Sequence, residues 1–493
     1  MWYLSKKKLI IYFITIIFCL QLLFRIRQRS KVSITSHLPE LNKTRDHMKK
    51  FASTLTSQTS KQVKVVGKAK HLTLKITNIR NYTLSNRKIP YNISYGSGGQ
   101  MITAADQRPW YMKGGNVMPT SSKNEPSKNV TMRVQSLFPS KNLHNDRIVE
   151  QLMFVPSSYH STENIPKQSK NKTPFKTILL WNGLDGWYQT KEGRSTFIDE
   201  KCPVSLCEIL IKQSDYQNAD LVLFRDSFGK PDIVHPKNQI WMMYSLESPR
   251  NTGNIDEGIF NWTATYRSDS TIVAPYGKWQ YYNNGVRQLP LKRNYLANKT
   301  KSVAWFVSNC ETENERMEYA KELSNHIQVD IYGSCGSDTC SKHRDEKECF
   351  KTLDKDYRFY LSFENSNCKE YITEKFFRNA LEYNIIPIVM GARPEDYKRA
   401  APYHSYIHIE EFPGGPKELA RYLKKLEKSD ELYNEYFKWK GTGEFINTKF
   451  FCRICSLLHE PGISKVNPGP HQNNLNEWWN GEGTCFPPFK WKK

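Results

Sequence analysis

The densest group of chemically useful side chains lies between residues 360 and 391. A strand-like run, Phe359–Glu364, is followed by the polar cluster Asn365–Cys368, and an amphipathic helix is predicted to open near Thr373. The run Thr373-Glu374-Lys375 places a hydroxyl, a carboxylate and an ammonium group in the first turn of that helix. A helix N-terminus beside a lysine suits a diphosphate, and a carboxylate suits sugar hydroxyls. A helix with a capping threonine and an ordinary Glu–Lys pair would show the same pattern.

A second candidate is Glu247, which follows a hydrophobic strand and precedes Ser248-Pro249. A carboxylate at the carboxyl end of a strand suits a general base, and partial burial there would raise its pKa. An ordinary glutamate at a strand end has the same spacing.

A metal site is indicated only weakly. The one Asp-x-Asp match, Asp354-Lys355-Asp356, could present two carboxylates to a divalent ion, but two carboxylates alone are a weak signal. We interpret the match as a solvated turn. The expectation is therefore no obligatory metal or cofactor, and stimulation by Mn²⁺ is left open.

The elements that must position these residues alternate between strand and helix. Apolar strands between residues 175 and 248 are separated by segments long enough for helices, and a second such series starts at Ser302. This alternation is typical of α/β domains with parallel sheets, in which ligands bind at the carboxyl ends of the strands.

The segment FENSNCKEYITEK closely resembles the donor-binding signature of the α1,3-fucosyltransferases (glycosyltransferase family 10), FxxxFENSxxxDYITEK, with Glu370 in place of the usual aspartate. Similar stretches cover 261–279, 303–316, 390–397 and 437–447. The resemblance runs in order from Phe175 to Cys485. It implies a GT-B fold, in which two Rossmann-like domains face each other across a cleft.

The resemblance also implies roles for named residues. Glu247, in the ESP motif, corresponds to the catalytic base of an inverting transfer from GDP-β-L-fucose. Arg316 and Lys375 correspond to cations facing the diphosphate, although Arg316 also fits a surface residue paired with Glu313 or Glu315. Tyr360, inside a strand, also fits a core position. The implied donor contacts are Tyr276, Ser308, Asn309, Arg316, Tyr360, Asn365, Tyr371, Glu374 and Lys375.

The acceptor implied by the resemblance is the innermost, Asn-linked GlcNAc of N-glycans on glycoproteins. Stretches such as 197–209 and 441–459, with Cys452-x-x-Cys455, resemble the core α1,3-fucosyltransferases of invertebrates and plants. Three alternatives stay open. One is a Lewis-type enzyme acting on N-acetyllactosamine, the second is an inactive glycan-binding relative, and the third is a scaffold that uses the N-terminal stem.

The first thirty residues predict a membrane anchor. Leu9–Phe24 is almost purely apolar between two basic runs, and no small-x-small site follows it, which favours an uncleaved signal anchor over a cleaved signal peptide. The predicted protein is a type II Golgi membrane protein with a lumenal catalytic part. The predicted segments are a cytoplasmic tail (1–8), the anchor (9–24), a flexible stem (25–174), an N-terminal acceptor-side domain (175–300), a C-terminal GDP-fucose-binding domain (301–460) and a C-terminal tail (461–493).

Glycosylation sequons and cysteines agree with a lumenal protein. Ten cysteines follow the anchor, an even number that indicates disulfides, although their connectivity is not deducible and a zinc site at Cys202, Cys207, Cys452 and Cys455 is the alternative. The net charge of +23 is spread along the chain without a nucleic-acid-binding motif, so no nucleic acid is expected as a partner. The sequons are Asn42, Asn81, Asn92, Asn129, Asn171, Asn261 and Asn298.

Overall fold

A computed structural model describes the chain in ranges: residues 63–66, 73–76, 94–95, 101–102, 108–119, 136–139, 146–159, 175–229, 231–336, 346–465 and 474–491. The chain divides into two units, Met1–Tyr91 and Asn92–Lys493. In the first unit, β1 (Val63–Val66) and β2 (Thr73–Ile76) pair antiparallel. The second unit begins with a short antiparallel pair, β3 (Ser94–Tyr95) and β4 (Met101–Ile102), and contains both sheets described below.

The first large sheet of the second unit has six parallel strands in the order β10-β9-β8-β7-β5-β6. Its strands are β5 (Lys176–Leu180), β6 (Cys207–Leu210), β7 (Leu221–Arg225), β8 (Ile240–Ser245), β9 (Trp262–Thr265) and β10 (Ile272–Val273). All six residues of β8 are buried, as expected for a central parallel strand covered on both faces. After this sheet, β11 (Trp279–Tyr281) pairs antiparallel with Gly443–Phe445.

The second sheet has five parallel strands in the order β13-β12-β14-β15-β16. Its strands are β12 (Lys301–Phe306), β13 (Val329–Tyr332), β14 (Tyr357–Phe363), β15 (Ile386–Met390) and β16 (Ile407–His408). The strand that pairs with β11, Gly443–Phe445, is β17 and lies outside this sheet. The carboxyl ends of β8, β12 and β14 lead directly into the segments that sequence analysis singled out. The prediction of an α/β fold with parallel sheets is confirmed.

Short helices connect the strands. They are α1 (Arg147–Leu152), α2 (Ser195–Asp199), α3 (Arg316–Ser324), α4 (Glu346–Asp356), α5 (Glu374–Phe376), α6 (Pro394–Ala400), α7 (Gly415–Leu426), α8 (Asp430–Glu435), α9 (Phe450–Leu458) and α10 (Leu475–Asn480). The helix predicted to open near Thr373 does start there, but α5 is three residues long and continues as a π-helical turn, Phe377–Leu381. The remaining helical segments are 3₁₀ turns at 213–218, 249–251, 409–411 and 463–465.

The predicted stem is too long. Within 25–174, the described residues of 108–159 include buried side chains that belong to the same apolar cluster as the first sheet, among them Trp110, Phe138 and Leu152. Polar contacts reinforce this packing, because the Arg147 guanidinium donates to the carbonyls of Ser270 and Thr271 at 2.6 and 3.1 Å. These short apolar clusters have no period of their own because they form a layer on an existing sheet.

The predicted C-terminal domain, 301–460, also extends too far. Helix α9 follows the second sheet in sequence, yet its apolar residues lie in the core of the first sheet. Two disulfides fix this return, Cys202–Cys452 and Cys207–Cys455, so the zinc alternative at these four residues is wrong. The prediction of disulfides is confirmed. The other described pairs are Cys310–Cys335 and Cys368–Cys485, and Cys349 is disulfide-bonded as well.

The last described residues, 474–491, are not a free tail. Trp479 is fully buried and its indole N–H donates to the Thr252 hydroxyl at 2.8 Å. The Arg267 guanidinium donates to the carbonyl of Trp478 at 2.5 Å. This segment therefore packs against the part of the chain that carries the first sheet.

The predicted cytoplasmic tail and anchor, residues 1–24, lie outside the described residues. Within the described ranges, no helix has the length and apolar character needed to cross a membrane.

Candidate active site

Glu247 lies two residues beyond the end of β8, where a 3₁₀ turn, Pro249–Asn251, redirects the chain. One of its carboxylate oxygens, Oε1, accepts four hydrogen bonds. The donors are the Ser248 main-chain N–H at 2.8 Å, the Tyr371 hydroxyl at 2.8 Å, the Asn251 side-chain amide at 3.1 Å and the Asn365 side-chain amide at 3.2 Å. The other oxygen, Oε2, has no hydrogen-bond partner among the described residues. The carboxylate is thus held in place through Oε1, and Oε2 remains able to accept a hydrogen bond or a proton.

The hydrogen bonds decide the charge of Glu247. Burial by itself would raise the pKa of this carboxyl, but the donors from Ser248, Asn251, Tyr371 and Asn365 outweigh burial and lower the pKa below its usual value. The expectation that partial burial raises this pKa is therefore wrong. A carboxylate that is ionised at neutral pH and carries a free oxygen can accept a proton from a hydroxyl.

The four donors come from both sheets. Ser248 and Asn251 follow β8 of the first sheet, whereas Asn365 and Tyr371 follow β14 of the second. A further contact crosses the same junction, since the Ser248 hydroxyl donates to the Ser366 hydroxyl at 2.9 Å. The orientation of Glu247 consequently depends on how the two sheets meet.

Two tyrosines support the main chain and the side chain at Glu247. The Tyr276 hydroxyl donates to the carbonyl of Leu246 at 2.7 Å, one residue before Glu247. Burial, with the nearby carboxylates Glu364 and Glu247, raises the pKa of Tyr371, so its hydroxyl keeps its proton and remains a donor. The structure brings these two predicted residues, and Asn365, to Glu247.

Lys375 lies in the first turn of α5, where the sequence predicted it. Its ammonium group contacts the Thr373 hydroxyl at 3.0 Å and the Glu374 and Glu364 carboxylates at 3.1 and 3.3 Å. Burial would lower the pKa of Lys375, but Glu364 and Glu374 outweigh burial and raise it. Lys375 therefore stays cationic at the carboxyl end of β14.

Glu364 was missed by the sequence reasoning. It is fully buried, and both its oxygens accept hydrogen bonds of 2.7 Å, from the Thr373 main-chain N–H and the Thr373 hydroxyl. It fixes the turn that carries Lys375 and supplies the carboxylate that faces the ammonium group. Its position directly after a buried strand is the same signal that identified Glu247.

Arg316 opens α3 and is only 3% exposed. Its guanidinium donates to the carbonyl of Phe363 at 2.9 Å and to that of Asn309 at 2.8 Å, which ties together the ends of β14 and β12. The alternative of a surface residue paired with Glu313 or Glu315 is wrong. Ser308 and Asn309 themselves are exposed in the loop after β12.

Tyr360 is the predicted donor contact that the structure contradicts. It lies in the middle of β14, is fully buried, and belongs to an apolar cluster with Ala304 and Ile385. Alternate residues of a central parallel strand face opposite covered faces of the sheet, so this ring is core.

The Asp-x-Asp match is not a solvated turn. Asp354 and Asp356 end helix α4, and the Asp354 carboxylate accepts from the main-chain and side-chain N–H groups of Asn384 at 2.6 and 2.7 Å. This carboxylate holds the turn before β15. In the described ranges, the groups spaced to hold a metal ion consist of disulfide sulfurs with His459 or Glu200.

Comparison with known proteins places the two segments that carry the sheets in one family. Residues 173–277 match the fucosyltransferase N-terminal domain, and residues 296–478 match the C-terminal domain of glycosyltransferase family 10 (fucosyltransferase). The chain is 49% identical over 383 residues to the glycoprotein 3-alpha-L-fucosyltransferase A of Drosophila melanogaster, covering 77% of this chain and 74% of that protein.

More distant relatives are also similar. The human 4-galactosyl-N-acetylglucosaminide 3-alpha-L-fucosyltransferase FUT5 is 37% identical over 266 residues, which cover 52% of this chain and 68% of that protein. A crystal structure of an alpha1,3-fucosyltransferase with GDP-fucose aligns with a TM-score of 0.41 at 16% identity, covering 62% of this chain and 96% of that one.

Proposed function

The chain belongs to glycosyltransferase family 10, the fucosyltransferases, and we propose that it transfers L-fucose from GDP-β-L-fucose, in α1,3 linkage, to the innermost GlcNAc of N-glycans on glycoproteins. The observation that carries the proposal is Glu247, held through Oε1 by four donors with Oε2 left without a partner among the described residues. The proposed architecture is GT-B, with the first sheet on the acceptor side and the second on the donor side.

In the proposed reaction, Glu247 Oε2 removes the proton from the 3-hydroxyl of GlcNAc. The hydroxyl oxygen attacks the anomeric carbon of fucose from the face opposite the diphosphate. A bond from carbon to the acceptor oxygen forms while the bond to the diphosphate oxygen breaks, so the β-linked donor gives an α-linked product. GDP leaves with the bonding electron pair, and Glu247 holds the proton until solvent takes it.

The departing diphosphate gains negative charge in the transition state, which a fixed cation stabilises. Lys375 is the proposed cation, since Glu364 and Glu374 keep it charged. Arg316 is proposed as a second one, acting through the N–H groups that remain beside its carbonyl contacts. The other proposed donor contacts are Tyr276, Ser308, Asn309, Asn365, Tyr371 and Glu374.

The acceptor is the point on which relatives differ. The Drosophila relative is named a glycoprotein 3-alpha-L-fucosyltransferase and is 49% identical, whereas the human relative, named for a 4-galactosyl-N-acetylglucosaminide, is 37% identical. The higher identity favours the N-glycan core. A Lewis-type acceptor is the second candidate, and retention of Glu247 and Lys375 argues against an inactive glycan-binding relative.

The test is to offer purified protein GDP-fucose with two defined acceptors, an N-glycan with its Asn-linked GlcNAc pair and free N-acetyllactosamine. Transfer to the innermost GlcNAc, located by mass spectrometry of fragments, is expected. Transfer to N-acetyllactosamine alone would show the Lewis type, and transfer to neither would remove the proposed function. Running the assay with EDTA tests the proposal that no metal is obligatory, because chelation should then leave most of the activity.

We also propose a type II Golgi membrane location with the catalytic part in the lumen, supported by the apolar segment Leu9–Phe24 and by the disulfides. Of the sequons within the described ranges, Asn298 is exposed, whereas the Asn261 side-chain oxygen accepts from the Trp241 main-chain N–H at 2.6 Å. A lumenal protein should therefore carry a glycan more readily at Asn298 than at Asn261.

A further inference from the structure

The C-terminal segment 484–488 reaches the site by a covalent link. Cys485 is bonded to Cys368, which follows Asn367 in the loop after β14. Main-chain hydrogen bonds continue the attachment, with Lys369 N–H donating to the Thr484 carbonyl at 2.8 Å and Phe486 N–H to the Asn367 carbonyl at 2.7 Å. The residues after Cys485 are thus fixed beside the loop after β14, whose Asn365 and Tyr371 donate hydrogen bonds to Glu247.

This attachment completes a pocket of about 180 Å³. Its lining includes the polar side chains of Asn251, Asn365 and Asn367 and an apolar surface formed by Phe486, Pro487 and Pro488. Pockets for drug-sized ligands have volumes of about 300–1,000 Å³, so this one suits a single small ring. The pocket joins four separate parts of the chain, namely the segments after β8, after β12 and after β14 and the C-terminal segment.

One polar atom of this pocket lacks a partner. The side-chain oxygen of Asn365 is buried and accepts no hydrogen bond from any described residue, although the amide nitrogen of the same side chain donates to Glu247. A buried acceptor without a donor costs free energy unless a ligand supplies the donor. A hydroxyl is the simplest donor that would reach it.

Amide side chains opposite an apolar wall are the two features that a sugar ring requires. Amides exchange hydrogen bonds with ring hydroxyls, and the C–H face of a pyranose packs against aromatic and proline rings. The Arg393 guanidinium lies 4.0 Å from the ring centroid of Phe486, and this contact restrains the ring.

We propose that this pocket is a pyranose-binding subsite beside Glu247. Phe486 and the two prolines form its apolar wall, and the side-chain oxygen of Asn365 accepts a hydrogen bond from a sugar hydroxyl. The inference rests on the proposed function, because that function supplies both sugars that could occupy the pocket. The occupant is a sugar ring, either the fucose of the donor or a residue of the glycan acceptor. The C-terminal segment would then determine specificity rather than only stabilise the fold.

The test compares Phe486→Ala with Lys490→Ala, an exposed residue four positions further along the same segment that does not line the pocket. Michaelis constants are measured separately for GDP-fucose and for the defined N-glycan. Phe486→Ala should raise one of them at least about tenfold, while Lys490→Ala changes neither. A rise for the glycan assigns an acceptor sugar, and a rise for GDP-fucose assigns the donor fucose.

Folding is checked by the thermal midpoint, and the double variant Pro487→Ala/Pro488→Ala, which removes the two proline rings from the same wall, serves as a second variant if Phe486→Ala does not fold. Both Michaelis constants remaining within twofold of wild type in a folded variant would overturn the subsite. If the wild-type protein transfers no fucose, the proposed function fails by itself. The subsite is then tested by saturation-transfer NMR with free L-fucose and with chitobiose. Signals that are present with Lys490→Ala and lost with the variant of the apolar wall support the subsite. Absence of a signal from either sugar with the wild-type protein overturns it.

Discussion

At the scale of single residues, the two oxygens of Glu247 have different tasks. Oε1 accepts four hydrogen bonds and Oε2 none from the described residues, so replacing the carboxylate by an amide removes the proton acceptor while keeping most of the shape. Glu247→Gln should lower kcat by about 10² or more. GDP-fucose affinity, measured by calorimetry, should stay within about threefold of wild type because the base does not neutralise the diphosphate. Near-normal turnover would exclude Glu247 as the base.

The hydrogen bond from Tyr371 predicts a pH dependence. The base works only when deprotonated, so activity is lost as the pH falls through the pKa of Glu247, which lies below its usual value. Tyr371→Phe removes one of the donors that lower this pKa, so the acidic limb of kcat/KM should move to higher pH. Tyr266→Phe is the matched control, since the Tyr266 ring lies 5.1 Å from that of Tyr371 and its hydroxyl has no partner among the described residues. An unshifted limb in Tyr371→Phe would contradict this account.

Lys375 has a binding role and a structural role that can be separated. Lys375→Ala should weaken GDP binding by about 10–100-fold, the equivalent of one charge-assisted hydrogen bond. It also leaves the fully buried Glu364 carboxylate without its cation, which should lower the thermal midpoint. The double variant Glu364→Gln/Lys375→Ala removes the unpaired charge, so it should recover stability without recovering GDP affinity. Unchanged GDP affinity in both variants would place Lys375 outside the donor site.

At the scale of elements, the carboxyl ends of parallel strands account for the position of the site. Glu247 follows β8, Ser308 follows β12, and Glu364 follows β14. Arg316 joins the last two of these ends through main-chain carbonyls, so the loops that carry the site are tied to one another as well as to their strands. This arrangement limits how far the loops can move apart.

The elements before the first sheet predict the outcome of truncation. Deleting residues 1–91, the first unit, leaves both sheets intact and should give a folded, active protein. Deleting residues 1–170, which the predicted stem would allow, removes α1 and the buried side chains of 108–159 from the core of the first sheet. The larger deletion should aggregate or unfold at a lower temperature, as measured by scanning calorimetry. Equal stability of the two proteins would show that these segments add nothing to the core.

At the scale of the whole molecule, two disulfides close nearly the same loop. Cys202–Cys452 and Cys207–Cys455 span 250 and 248 residues, and their ends are only a few residues apart. Either bond alone constrains the unfolded chain almost as much as both, because loop-closure entropy depends weakly on small changes in length. Replacing one pair by serine should therefore cost little, about 1 kcal/mol, whereas replacing both should cost about 3–5 kcal/mol.

Urea unfolding of the two single-pair variants and the combined variant measures this difference. The control is Cys310→Ser/Cys335→Ser, a pair separated by 25 residues that links the segments after β12 and β13, and its effect should add to that of either other pair. Additive costs for the two long-range pairs would contradict a shared loop.

The amino-acid sequence alone indicated the parallel α/β pattern and the strand-end positions of Glu247 and Lys375, the proposed base and the proposed donor-site cation. These properties depend on residues close together along the chain, where period, strand-end position and a contiguous signature can be read directly. The resemblance to family 10 is confirmed on the same stretches.

Only the tertiary structure decided how those residues are held. The Tyr371 hydroxyl reaches Glu247 across 124 positions, and the hydrogen bonds of that cluster reverse the pKa shift expected from burial. Four other features were likewise decided only by the tertiary structure: the core position of Tyr360, the packing of 108–159, the return of α9 to the first sheet and the C-terminal wall at Phe486. Each depends on contacts between segments far apart in sequence, and burial against a distant surface leaves no periodic pattern in the segment that provides it.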